Sequence, residues 1–121
     1  MVAHTLQYEM TMNDFAQRIA LFVLTENLVI HTKRFAACHA TSWGSSAWSL
    51  ADAILSVGQD VDGDPLGGEL RTTLGHLKVM LHRTTWPTPG VDSADLYEIA
   101  GHAAEAAAEV LRLLRARHGV Y

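Results

Sequence analysis

The chain carries one cysteine, three prolines and only two lysines in 121 residues. A single cysteine, Cys38, cannot form an intramolecular disulfide, so nothing covalent staples the fold. The prolines are Pro65, Pro87 and Pro89, which leaves the first half of the chain free of the strongest helix breaker. The longest unbroken apolar run, Ile19–Leu24, is far short of the ~20 residues that span a bilayer. No basic segment followed by an apolar core opens the sequence. The expectation is a cytoplasmic protein with no membrane partner. A net charge of −4 and a pI of about 5.9 disfavour nucleic acid as a partner, because such binding rests largely on Lys and Arg neutralising phosphates. No two of the seven histidines are three or four apart, so no helix presents a histidine pair to a transition metal. Phosphate-binding glycine loops, paired cysteines and nucleophile elbows are also missing. The sequence implies no cofactor.

What is present is apolar and helical. Hydrophobic residues make up 49% and charged residues 18%, which places the chain among folded domains. The length suits one domain, residues 1–121, around one core. Its organising stretch is Asp14–His39, without Gly or Pro. Leu21, Leu24, Leu28, His31, Phe35 and Cys38 recur at helical spacing, and Cys38 at the end of that stripe reads as a buried thiol. Phe15, Ile19, Phe22 and Val29 point elsewhere, with Val23 and Ile30 in a third direction. A helix apolar on most sides is buried on most sides. It is therefore expected to be the centre of a bundle, or shared between two subunits.

Before it, residues 1–12 alternate, with Val2, Leu6, Tyr8, Met10 and Met12 on one parity. Period two suggests a short extended arm paired with its copy in a second subunit; a frayed terminus or an extra helical turn is the alternative. After it, the Ser/Gly cluster Ser42–Ser46 reads as the break before a second helix carrying Ala47, Leu50, Ile54 and Val57. The loop Gln59–Glu69 ends in Asp64–Pro65, a cap followed by proline at the first helical position. The third helix carries Leu66, Leu70, Leu74, Leu77 and Leu81 and runs to about Arg83. Trp86–Gly90 is a rigid connector. Asp92 or Ser93 caps a fourth helix reaching about His118, its acids early and its arginines late, as the helix dipole favours. The fold class expected is all-α: a four-helix up-and-down bundle with a long central first helix.

Four features could carry chemistry. Asp60, Asp62, Asp64 and Glu69 present carboxylates to a calcium ion, but Pro65 stands where calcium loops place glycine. The plainer reading is a solvated acidic loop with Asp64 as a cap. His31 lies on the apolar stripe, either as a packed histidine with one hydrogen bond or as a ligand-binding group. Arg34/His39, Arg71/His76 and Arg112/His118 resemble the Arg/His pairs of HEPN-type ribonucleases, small helical dimers. The resemblance implies metal-free RNA cleavage, with His handling a proton and Arg the phosphate charge. Arg71/His76 is the best match, since the polar Thr72 follows Arg71. Lastly, Phe15, Phe22 and Val29 are the expected contacts of a homodimer, and Trp86 beside two prolines is a rigid aromatic able to anchor a partner. The function expected is a binding module with an accessory or regulatory role, self-associating and open to a protein partner. The alternative is a ligand-binding or enzymatic bundle using His31 or Arg71/His76.

Overall fold

The computed structural model of the chain describes residues 2–59 and 66–118, and side chains for 16–57 and 66–118. Four helices follow one another: α1 (Val2–Cys38), α2 (Thr41–Gln59), α3 (Gly67–Thr85) and α4 (Ser93–His118). Each packs against two neighbours, α1 on α2, α2 on α3, α3 on α4 and α4 back on α1. The side-chain contacts give the directions. Phe35 meets the start of α2 at Gly44, Asp52 and Lys78 join α2 to α3, and Arg117 lies against Gly67. Phe22 and Tyr97, at opposite ends of the α1–α4 seam, meet His118 and His39. Every neighbouring pair is therefore antiparallel, and the bundle is up-and-down as its short connections require.

The core is aliphatic. Leu21, Leu28 and Phe35 of α1 face Ala47, Ala51 and Ile54 of α2, with the leucine ladder of α3 (Leu70, Leu74, Leu77, Leu81). Small residues of α4, Ala100, Ala103 and Ala107, let that helix lie close before Val110 and Leu114 complete the seam. At ~1.5 Å per residue, α1 is roughly twice as long as α2 or α3. Asp92 caps α4 as expected: its Oδ1 accepts from the Ala94 N–H at 3.0 Å.

Several expectations are corrected. Residues 2–12 belong to α1 and form no extended arm. A lone strand has no partner in an all-helical chain, whereas a helix pairs its own backbone groups. The break after α1 falls at His39–Ala40, ahead of the Ser/Gly cluster, and His39 takes a left-handed φ of 56° to end the helix. Gly44 and Ser46 accordingly sit inside α2. Gly44 is there for space: an added Cβ would stand 2.1 Å from Thr85 Oγ1 and 3.0 Å from the Phe35 ring. The third helix begins at Gly67, with Leu66 in the cap position and no side-chain cap hydrogen bond; Asp64, the expected cap, lies outside the described residues. Cys38, expected in the core, is exposed, because it is the last residue of α1 and the chain turns away there.

Candidate interaction surfaces

The inner edge of α1 is set by a seven-residue rhythm. Leu21, Thr25, Leu28, Thr32 and Phe35 all lie at or near zero exposure, spaced four, three, four and three. The two threonines bury their hydroxyls by turning them onto their own helix: Thr25 Oγ1 donates to Leu21 O at 2.6 Å and Thr32 Oγ1 to Leu28 O at 2.9 Å. The opposite face is therefore left to solvent. On it stand Ile19, Val23 and Ile30, exposed by 49%, 51% and 45%. At 100° per residue they lie within about 40° of one another around the axis. Isolated exposed aliphatics are ordinary, but three aligned on one helix form a face. Ala16 extends it at one end and Ala37 at the other, both exposed.

The expected dimer contacts fall differently. Val29 is part of the chain's own core. Phe22 is half-buried, its ring edge-on to His118 with centroids 6.2 Å apart. Phe15 lies outside the described side chains. A hydrophobicity pattern alone could not separate these groups, since α1 is apolar in three directions and the burial of Thr25 and Thr32 decides which one faces inward.

A second apolar surface lies across α2 and α3. Trp86 ends α3, its N–H bonded to His82 O at 2.9 Å, and is 48% exposed. Its ring meets Trp48 edge-on at 6.3 Å and His82 at 5.2 Å. Lys78 lies over the Trp48 ring at 4.6 Å and is fixed there by Asp52 at 2.7 Å. Trp48, Gly75, Lys78, Val79 and His82 line a shallow groove of about 340 Å³, with Val79 exposed along it. Gly75 keeps the floor open, as nothing lies within 4 Å of where its Cβ would be.

The remaining candidates are dispersed. His31 is half-buried between α1 and α2, where its Nδ1 shares a 2.7 Å hydrogen bond with Ser46 Oγ and its ring meets Trp43 edge-on. The geometry is that of a satisfied packing histidine joining two helices. Asn27, another polar residue of α1, is exposed and bonds to Val23 O. Arg71 and His76 are five residues apart on α3, so their side chains leave the helix about 140° apart. His76 is exposed. Arg112 is engaged with Glu109, whose carboxyl this hydrogen bond and charge hold below the usual carboxylate range. Of the acidic loop, Asp60, Asp62 and Asp64 lie outside the described residues, and Glu69 stands exposed in the first turn of α3. Among the described residues no three His, Cys, Asp or Glu gather as a metal site would require, and no helix is long and apolar enough to cross a membrane. No protein-family model, curated protein or solved structure matches the chain.

Proposed function

We propose that this chain is a helical interaction module, accessory or regulatory in role, that self-associates through the outer face of α1. The observation that carries the reading is the alignment of Ile19, Val23 and Ile30, each about half exposed, on the side of α1 away from its own core. Covering the exposed half of such a side chain is worth about 1 kcal/mol. Six of them across two copies give roughly 6 kcal/mol before the cost of association, estimated at about 4–15 kcal/mol. That gain is of the same size as the association cost, so the apolar face alone supports a weak dimer whose affinity depends on polar contacts at the rim. The Trp86 surface supports contact with a different protein, since a half-exposed tryptophan flanking an open groove is the kind of anchor interfaces use.

Val23→Glu tests the reading. The position is already exposed, so the substitution leaves the bundle folded while placing two carboxylates in the contact. Sedimentation of the wild type should show a monomer–dimer equilibrium at hundreds of micromolar, and the variant should sediment as a monomer that circular dichroism shows to be folded. A wild type that remains monomeric at several hundred micromolar refutes self-association. Phe22→Glu and Val29→Glu would instead test the fold, because both side chains pack within the chain.

A further inference from the structure

The outer face of α1 carries one acid and two bases with no ion-pair partner among the described residues: Glu26 and Arg34 flank Ile30, and Lys33 stands at the margin of the face. Glu26 is exposed and has no ion-pair partner among the described residues. Arg34 is exposed, lies over the Trp43 ring at 4.8 Å and meets no carboxylate among the described residues. The two stand four residues either side of Ile30, about 6 Å along the axis in each direction. Val23 and Ala37 stand seven residues either side of it. The pattern is self-complementary: turned end over end about Ile30, the face presents an acid where it had a base and an apolar residue where it had one.

We propose, resting on the self-association reading above, that two copies of this chain pair α1 against α1 in antiparallel order about a two-fold axis at Ile30. Ile30 then meets Ile30 of the second copy on the axis. Glu26 of each chain faces Arg34 of the other in two equivalent ion pairs, and Val23 of each faces Ala37 of the other. An isologous contact of this kind closes on itself and stops at a dimer. Two competing arrangements fail on charge. Parallel pairing sets Glu26 against Glu26 and Arg34 against Arg34. An antiparallel register centred between Glu26 and Asn27 would match Val23 with Ile30, but it brings the two Glu26 carboxylates together at the axis. Like charges juxtaposed in a contact oppose it, so charge sets register where apolar area alone would allow several. In the register about Ile30, Ile19 lies just past the end of the second copy's α1 at Cys38.

Charge reversal tests the register. Glu26→Arg and Arg34→Glu should each weaken the dimer about tenfold or more in sedimentation equilibrium, and the double variant Glu26→Arg/Arg34→Glu should recover wild-type affinity to within about threefold. Cross-linking gives a second measurement, in a Cys38→Ser background under mild oxidation. Ile30→Cys should cross-link with itself, Val23→Cys should not, and a mixture of Val23→Cys with Ala37→Cys chains should. A double charge variant as weak as the singles overturns the register while leaving dimerisation standing, as does self-cross-linking of Val23→Cys without that of Ile30→Cys. A monomeric wild type removes the self-association reading and this pairing with it.

Discussion

Gly44 offers the sharpest test of how the first three helices meet. On helix propensity alone, Gly44→Ala should stabilise the protein by about 1 kcal/mol, because glycine is the poorest non-proline residue in a helix interior. The local geometry opposes this. The new Cβ would stand 2.1 Å from Thr85 Oγ1 and 3.0 Å from two carbons of the Phe35 ring. Thr85 cannot step aside easily: it is 3% exposed, and its β-branched side chain closes the last turn of α3. Phe35 is 2% exposed and fills the space between α1 and α2. Overpacking of this severity costs about 1–3 kcal/mol and offsets or outweighs the propensity gain, so a net loss of up to about 2 kcal/mol is expected. Thr85 Oγ1 is also buried without a conventional hydrogen-bond partner, and the Gly44 Cα hydrogen in the Cβ direction points at it, a weak C–H···O contact. Removing the hydroxyl should therefore relieve the clash at little cost of its own. Gly44→Ala, Thr85→Ala and the double variant, compared by urea denaturation, should show a favourable coupling of at least about 1 kcal/mol. A Gly44→Ala protein more stable than wild type, or strictly additive effects, would refute this account of the α1–α2–α3 contact.

Three other outcomes follow from the same contacts. Asp92→Ala should lower stability by about 1 kcal/mol through loss of the bond to the Ala94 N–H, and Asp92→Asn should retain most of it, again by denaturant titration. Glu109 has its carboxyl pKa lowered by the Arg112 hydrogen bond, so its contribution is present above the unfolded-state value and fades as pH falls through the folded-state one. Glu109→Gln should flatten that small acid-side slope in a stability-against-pH series and change nothing near neutrality. Cys38 should react with a thiol reagent in the native protein at a rate close to that of the unfolded chain, whereas a buried thiol would be protected.

The fold was legible in the sequence wherever one local rule agreed with the next. The leucine ladder of α3 combines period and breaker, the dipole-ordered run of α4 adds a cap, and both helices appear within two residues of the expected ends. Legibility failed where a residue serves tertiary structure instead of local preference. Gly44 and its neighbouring serines look like a break, yet the glycine is kept for the approach of Thr85 and Phe35, and Ser46 meets His31 across the helix pair. Asp64–Pro65 has the composition of a helix start, yet α3 opens two residues later at a glycine with φ of 77° beside Arg117. Nothing local to either segment carries that information.

The candidate surface was half legible for a related reason. An apolar excess on α1 is plain from its composition, but which residues make the excess depends on where the threonines go. Counted as polar, Thr25 and Thr32 belong outside; their hydroxyls instead return to carbonyls of their own helix, and both side chains occupy core positions at 0% exposure. Two core positions of α1 are taken by threonines while Ile19, Val23 and Ile30 stand outside the seam. A helix serving only its own bundle would gain by the opposite arrangement, since aliphatic side chains contribute more on burial and threonines cost nothing in water. The inversion therefore argues that the outer face answers to a second contact. Glu26 and Arg34, without ion-pair partners among the described residues and equidistant from Ile30 on that face, support the proposed pairing with a second copy.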